Sequence, residues 1–269
     1  MRPQIIDAQR GNILDRNYNT LAISVGADAV YALPGSIRDV EGTARQLAPF
    51  LPVSESDLVR ILGSTSATSV WLARGLSVET SGALRQLGLP GIRVVQRPQR
   101  YYPQGSLASH VIGIAGSDNQ GLEGIEYYYD EILKGIPGRQ AIERDATQRS
   151  IPGGESEFLP PVAGHNVVLT IDSVIQYVSE TKIQEAVISS NSDRGLVLAM
   201  DPHSGEILAN AIYPTFDPNY YQDVPAGRRR NVAITDQYEP GSTFKFVTAA
   251  ASLDLGLTHN ERAFDSGLF

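Results

Sequence analysis

Two segments of the 269-residue chain place a serine three residues before a lysine. They are Ser179-Glu180-Thr181-Lys182 and Ser242-Thr243-Phe244-Lys245. Residues at this spacing on a helix lie on the same face, so the hydroxyl and the amine can approach each other. A lysine that has lost its proton can activate a serine as a nucleophile. The chemistry that this pattern could support is acyl transfer through a covalent serine ester.

The surroundings of the two serines differ. Ser179 lies inside the segment VIQYVSETKIQEAV, where a polar helix face is expected and the lysine could pair with Glu185 or Glu180 in solvent. Ser242 follows Pro240-Gly241, which predicts a sharp turn, and it precedes FKFVTAAASLDLG, whose residues are apolar or small on nearly all sides. Such a composition predicts a buried helix. We therefore predict Ser242 as the nucleophile and interpret Ser179 as a surface residue.

Lys245 strengthens the prediction for Ser242. A cation in the first turn of a helix opposes the helix dipole, and its burial is unfavourable unless something pairs with it. Of the 22 basic residues only three are lysines, so arginine is the usual cation of this chain. Arginine stays protonated, whereas burial and a helix N-terminus lower the pKa of a lysine. We predict that Lys245 accepts the proton of Ser242 and that backbone N–H groups at the helix start stabilise the oxyanion.

The composition excludes several other functions. A formal charge of -8 and a pI near 5.0 argue against a nucleic-acid partner, which requires a basic surface. Without cysteine there is no disulfide and no thiolate chemistry, and the four histidines lack the spacing of a zinc site. We expect neither a metal nor a cofactor. No window approaches the ~20 apolar residues of a membrane span, so we expect any membrane anchor to lie outside this sequence.

The elements that would position these residues follow two different patterns. Residues 1 to 150 alternate short strands and helices, which predicts an α+β region. The predicted strands are 29–33, 70–73 and 92–95, and the predicted helices are 36–50, 54–62, 78–87 and 121–133. Beyond residue 164 we predict a strand at 167–171, a helix at 173–188 that packs on the following strands, and an antiparallel hairpin of 195–200 with 206–212.

A run of glycine, proline and acidic residues, IPGGESEFLPPVAG, separates the two patterns at residues 151 to 164. Runs of this kind are typical of domain boundaries. We therefore predict two domains, residues 1–155 and residues 156–269.

Further segments have a distinctive composition and order. They are RGNILDRN at 10–17, LA at 21–22, YP at 102–103, ASHVIG at 108–113, GLEGIE at 121–126, DPHSGEILAN at 201–210, YP at 213–214, FDPN at 216–219 and EPGSTFK at 239–245. Together they resemble the segments that are characteristic of class B penicillin-binding proteins, with Tyr18 where the family often has glycine. The resemblance covers nearly the whole chain.

This resemblance implies both a fold and a function. The fold would be α+β, with an N-terminal pedestal of the dimerisation type followed by the first part of a penicillin-binding or β-lactamase-like transpeptidase domain, an antiparallel sheet with helices. The function would be that of a serine-type D,D-transpeptidase on the extracytoplasmic face of the bacterial membrane. It would cross-link peptidoglycan stem peptides that end in D-Ala-D-Ala, be acylated by β-lactams, and work with other cell-wall synthesis proteins. Within the pedestal, we expect Arg10, Asp15, Arg16 and Glu126 to form ion pairs and hydrogen bonds and not to contact substrate.

The resemblance also implies two motifs after the nucleophile, Ser-x-Asn and Lys-Thr/Ser-Gly. Ser117-Asp118-Asn119 and Ser189-Ser190-Asn191 both precede Ser242, so we interpret them as chance matches. No lysine is followed by Thr-Gly or Ser-Gly. We expect the chain to be part of a larger polypeptide and to be inactive alone.

Two alternatives remain open. A β-lactam sensor or a class D-like β-lactamase shares Ser-x-x-Lys, although the long pedestal disfavours both. From a different class, the chain could be a non-catalytic interaction module of the cell-wall synthesis machinery.

Overall fold

The structure is a computed structural model that describes residues 4–64, 68–142 and 156–258. The described residues up to 233 form one unit, and those from 234 onward form a second. Helices and strands alternate throughout, which confirms the predicted α+β class.

The described strands are short except for one. They are β1 Gln4–Ile6, β2 Ile13–Leu14, β3 Thr20–Ala32, β4 Val70–Leu76, β5 Ile92–Tyr101, β6 Ile114–Ala115, β7 Gly121–Glu123, β8 Gly138–Ile142, β9 Ser156–Leu159, β10 Val167–Val168, β11 Gly195–Met200 and β12 Ile207–Tyr213.

The described helices include one long member. They are α1 Val40–Leu47, α2 Glu55–Leu62, α3 Val78–Leu87, α4 Ser109–Ile112, α5 Gly124–Tyr128, α6 Asp130–Leu133, α7 Ser173–Ser190, α8 Ala226–Arg229, α9 Val232–Thr235 and α10 Lys245–Asp254. Three 3₁₀ turns occur at Pro34–Ser36, Pro218–Asp223 and Gly241–Phe244.

The long strand β3 organises the first unit. It pairs antiparallel with β5, from Ile23 opposite Tyr101 to Ala32 opposite Ile92, and on its other edge with β4 and β2. Strand β10 adds in parallel to β2. Buried side chains from β3, β4 and β5 and from the three helices α1, α2 and α3 form one hydrophobic core. We call the part made of these three strands and three helices the head.

The head helices begin where the sequence supplies a cap. The side chains of Asp39, Ser54 and Ser77 each accept a hydrogen bond from a backbone N–H in the first turn. Such caps satisfy donors that the helix itself leaves unpaired. As a result α2 and α3 lie within one residue of their predicted bounds, whereas α1 is shorter than predicted because Pro34–Ser36 forms a separate turn.

The predicted helix at 121–133 is only partly correct. Its first residues form the strand β7, and the helix is broken into α5 and α6 at Tyr129. Gly124 has φ +62°, and a Cβ there would lie 2.6 Å from the carbonyl oxygen of Val111. Glycine is required here because its backbone allows both the left-handed conformation and the close approach.

The run predicted as a domain boundary contains a strand. Residues 151–155 lie outside the described residues, but β9 pairs antiparallel with β8, which in turn pairs with β1. The boundary between residues 155 and 156 stays a prediction.

The predicted hairpin is confirmed, since β11 and β12 pair antiparallel. Helix α7 packs on the hairpin, as predicted. Its buried Gln176 donates from Nε2 to the carbonyl oxygen of Asn210 at 3.0 Å and accepts from the Asn210 N–H at 2.8 Å. This side chain therefore bonds to β12 as a neighbouring strand would.

Candidate active site

Ser242 and Lys245 lie one turn apart at the start of α10. Gly241, with φ +52°, makes the sharp turn that was predicted before Ser242. The N–H of Thr243 donates to the carbonyl oxygen of Pro240 at 3.0 Å, and the N–H of Lys245 donates to the carbonyl oxygen of Ser242. In a 3₁₀ turn, side chains three residues apart are eclipsed. The side chains of Ser242 and Lys245 therefore leave the backbone on the same side of the turn.

Both side chains are exposed, and so is the helix that follows them. None of the residues of α10 is buried, and Phe246 is 79% exposed. The prediction of a buried helix, and of burial at Lys245, was therefore wrong for this structure. An apolar helix is buried only where other elements cover it. Between residues 234 and 258 the described elements are the end of α9, one 3₁₀ turn and α10, and they are too short to do so.

The second Ser-x-x-Lys segment has the surface role that was predicted. Ser179 lies in the middle of α7, and Lys182 Nζ pairs with Glu185 Oε2 at 2.7 Å, both side chains being largely exposed. Glu180 does not pair with this lysine. It accepts hydrogen bonds from the Ala108 N–H and from the side chain of Gln176.

The two Ser-x-Asn triplets before Ser242 have structural roles. In the first, Asp118 pairs with Arg74 at 2.7 Å, and the carbonyl oxygen of Asn119 accepts from Arg10. In the second, Ser190 donates to the carbonyl oxygen of Ala186 at 2.7 Å, and Asn191 ends α7 with φ +51°. These contacts agree with their interpretation as chance matches.

A buried charge network lies elsewhere in the chain, around Glu126. Its Oε2 accepts from Arg10 Nε at 2.5 Å and its Oε1 from Arg100 Nε at 2.6 Å, and both Arg10 and Glu126 have side chains that are 0% exposed. Arg10 Nη1 also pairs with Asp130 at 2.6 Å. The prediction that Arg10 and Glu126 form ion pairs within the pedestal is confirmed.

Two further members of this network, Arg100 and Tyr102, were not predicted from the sequence. The Tyr102 hydroxyl donates to Glu126 Oε1 at 3.3 Å and accepts from the Ala115 N–H at 2.8 Å. Burial, together with the charge of Glu126, raises the pKa of Tyr102. The available signal was a charged residue, Arg100, two positions before the Tyr-Pro segment.

Asp15 and Arg16 join the N-terminal segment to the second half of the unit. The buried carboxylate of Asp15 accepts from the backbone N–H groups of Asn17 and Asn19 and from the Ser173 hydroxyl at the start of α7. Burial alone would raise its pKa, but hydrogen bonds from Ser173, Asn19 and Asn17 lower the pKa of Asp15 to about 2. Arg16 forms an exposed pair with Glu206 at 3.3 Å. The predicted bonds exist, but they reach beyond the pedestal.

Two of the segments singled out in the sequence, 108–113 and 216–219, lie against each other and their neighbours. His110 packs edge-on against Phe216, with ring centroids 5.1 Å apart, and its Nε2 lies 3.0 Å from the carbonyl oxygen of Arg228. Burial lowers the pKa of His110 more than this hydrogen bond raises it. Asn219 donates to and accepts from the backbone of Tyr102, each at 3.0 Å. These contacts form a junction between segments that are about 100 residues apart in the sequence, and the order of the motifs did not predict it.

Within the described ranges, no group of three or more acidic or histidine side chains could hold a metal ion. None of the helices that the structure describes is long and apolar enough to cross a bilayer.

Comparison with known families gives two matches that together cover most of the chain. Residues 5–169 match the penicillin-binding protein dimerisation domain, and residues 195–268 match the penicillin-binding protein transpeptidase domain. The run at 151–164, predicted as a domain boundary, lies within the first match.

Over the aligned residues, curated relatives are about a third identical to the chain. It is 38% identical over 251 residues to Stage V sporulation protein D of Bacillus subtilis, covering 92% of the chain and 39% of that protein. It is 32% identical over 272 residues to the peptidoglycan D,D-transpeptidase FtsI of Escherichia coli, covering 99% of the chain and 46% of that protein. The chain thus spans less than half the length of these relatives.

Solved structures agree on the fold. A peptidoglycan synthetase from Bifidobacterium adolescentis is 25% identical with a TM-score of 0.65, covering 100% of the chain and 55% of that structure. A penicillin-binding protein (PBP2) in complex with MreC from Helicobacter pylori is 23% identical with a TM-score of 0.71, covering 99% of the chain and 54% of that structure.

Proposed function

The chain belongs to the class B penicillin-binding proteins, and from this premise we propose that the protein is a peptidoglycan D,D-transpeptidase with Ser242 as its nucleophile. One observation carries the proposal. Its support is that Ser242 and Lys245 are three residues apart across the 3₁₀ turn at Gly241–Phe244, which lies inside the match to the transpeptidase domain.

The proposed reaction is an acyl transfer in two steps. Ser242 Oγ attacks the carbonyl carbon of the penultimate D-alanine while neutral Lys245 accepts the hydroxyl proton. The tetrahedral intermediate collapses, the peptide C–N bond breaks, and the terminal D-alanine leaves with a proton on its amine. The amine of a second stem peptide then attacks the serine ester, which forms the cross-link and regenerates Ser242.

A β-lactam enters the same first step. The serine attacks the carbonyl of the lactam, the ring C–N bond opens, and the ester remains on Ser242. Lys245 accepts the serine proton in this step as well.

The proposed location and partners follow from the substrate. Peptidoglycan lies outside the bacterial membrane, so we place the protein on the extracytoplasmic face with an anchor outside this sequence. Its ligands would be D-Ala-D-Ala stem peptides and β-lactams, and its protein partners other members of the cell-wall synthesis machinery.

The test is acylation of the complete gene product by benzylpenicillin, followed by intact-mass measurement. Wild type should gain one penicilloyl adduct, Ser242→Ala none, and Lys245→Arg none if the lysine acts as a base. Ser179→Ala and Lys182→Arg form a matched control, because they make the same changes in the other Ser-x-x-Lys segment. An adduct that persists in Ser242→Ala would refute the nucleophile assignment, and one retained in Lys245→Arg would refute the base.

A second candidate is an interaction module, favoured by the match of residues 5–169 to a dimerisation domain. One structural relative was solved as a complex of a penicillin-binding protein with MreC. Genetic complementation separates the candidates. If the Ser242→Ala protein supports growth as well as wild type does, the essential role is binding, and if it fails although it is expressed and folded, the role is catalysis.

A further inference from the structure

A cavity of about 230 Å³ lies between the head sheet and the turn at Pro218–Asp223. One wall is formed by residues of β3, β4 and β5, and the opposite wall by the turn and by residues 115–117 and 119. The space can hold a small molecule or the side chain of a partner. It is remote in sequence from Ser242 and Lys245, neither of which lines it.

Three arginines line this cavity, and no acidic side chain among the described residues lines it with them. They are Arg74, Arg97 and Arg100. Their carboxylate partners, Asp118, Asp7 and Glu126, lie outside the lining. These carboxylates balance the charge of the arginines, so an anion would bind here through the N–H donors that the three pairs leave unused.

The arginines retain donors that no other described residue uses. Arg97 bonds to Asp7 through Nε, and its two terminal nitrogens have no hydrogen-bond acceptor among the described residues. Arg100 is 4% exposed, and its Nη2 is buried without a described partner. An arginine side chain carries five N–H donors, so a large part of the donor capacity here is unused.

Two of the three guanidinium groups, those of Arg74 and Arg97, lie over one aromatic ring. Arg97 lies 4.6 Å and Arg74 5.2 Å from the ring centroid of Trp71, whose other contact is an edge-on pairing with Tyr31. Stacking on an aromatic face restricts the guanidinium planes. The terminal nitrogens of Arg74 donate to the Ser117 carbonyl oxygen and to Asp118, whereas those of Arg97 stay available to a ligand. A planar donor edge of this kind matches a carboxylate or a phosphate.

We propose that this cavity binds a small oxyanion, a carboxylate or a phosphate, with Arg97 as the principal contact and Arg74 beside it. Bound there, the anion would contact the head sheet and the turn at Pro218–Asp223 together. The proposal goes beyond the transpeptidase function and does not depend on it, because it uses neither Ser242 nor Lys245.

Trp71 provides the readout, because it is the single tryptophan of the sequence and contacts both arginines. The 269-residue chain is titrated with sodium phosphate and, separately, with sodium succinate, while sodium chloride holds the ionic strength constant. Trp71 emission and calorimetric heat are followed. A saturable change that chloride does not produce is expected. A response to phosphate alone identifies a phosphate ligand, and a response to succinate identifies a carboxylate ligand such as an acidic peptide.

Two variants remove the site in different ways, and a third controls for charge. Arg97→Gln should weaken binding about tenfold or more, because it removes charge-assisted hydrogen bonds. Ala27→Glu should weaken it similarly while Arg97 stays in place, since Ala27 lies directly opposite Arg97 in the β3–β5 pairing and its new carboxylate competes for the guanidinium. Arg93→Gln on the same strand, outside the lining, should leave binding unchanged.

Thermal unfolding followed by circular dichroism verifies that each variant is folded. The proposal is overturned if the response is not saturable, if chloride reproduces it, or if folded Ala27→Glu binds as tightly as wild type.

Discussion

The buried network around Glu126 and the exposed turn at Ser242 show two ways in which a sequence specifies polar geometry. In the network, Arg10 and Glu126 are separated by 116 residues and meet only because the unit folds around them. At the turn, Ser242 and Lys245 are three residues apart, and a single 3₁₀ turn aligns them. The first arrangement depends on long-range packing, whereas the second depends on local backbone conformation. Substitutions in the network should therefore alter the free energy of unfolding. Substitutions of Ser242 or Lys245 should alter only the acyl-transfer reaction.

The largest effect on stability is expected at Glu126. Replacing it with glutamine leaves the buried guanidinium of Arg100 without a carboxylate and that of Arg10 with Asp130 alone, so the free energy of unfolding should fall by about 3–5 kcal/mol. Urea unfolding measures this loss. The exposed pair of Arg60 with Asp57 supplies the control, because Asp57→Asn should cost far less than Glu126→Gln. Equal losses in the two variants would mean that the buried network does not stabilise the fold.

The next effect is expected at Asp15 and depends on pH. Its pKa of about 2 in the folded protein lies below the ordinary value of 3.8, which corresponds to about 2 kcal/mol of stability at pH 7. Because the folded pKa is lowered, this stability is present above pH 3.8 and is lost as the pH falls toward 2. Asp15→Asn should remove it at pH 7. Unfolding curves at several pH values test this, and a variant whose stability falls as steeply as wild type between pH 4 and 2 would contradict the assignment.

A smaller effect is expected at the junction made by Asn219. Its side chain forms hydrogen bonds with both backbone groups of Tyr102, so Asn219→Ala should lower the free energy of unfolding by about 1–3 kcal/mol. Asn17→Ala, which removes one exposed hydrogen bond to Asp172, is the matched control and should cost less. If the two losses are the same, the junction contributes little to stability.

The smallest effect is expected in α10. Phe246 is 79% exposed, so Phe246→Ser in the 269-residue chain should change the free energy of unfolding by no more than about 0.5 kcal/mol. A buried phenylalanine such as Phe216, which is 5% exposed, should by contrast cost about 3–5 kcal/mol when replaced by alanine. A large loss at Phe246 would mean that α10 is covered in solution, as its composition predicted.

The sequence predicted those parts of the structure whose causes are local. The bounds of α3 and β11 match the prediction, because a Ser77 cap and a Gly88 stop define the helix and turn residues define the hairpin. The turn before Ser242 was predicted for the same reason, since proline followed by glycine restricts the backbone.

The remaining features depend on contacts between distant residues, which composition does not identify. Arg100 was missed because its role depends on Glu126, and β3 extends far beyond the predicted five residues because β5 pairs along it. The exposure of α10 was missed because periodicity reports how apolar a helix is and not whether a partner surface is present.

The most direct test of the central claim is to locate the acyl group. The complete gene product is treated with benzylpenicillin and digested, and the modified peptide is sequenced by tandem mass spectrometry. The proposed mechanism predicts a single penicilloyl ester on Ser242 and none on Ser179. An ester on any other residue, or an unmodified Ser242 in a folded protein that still binds penicillin covalently, would contradict it.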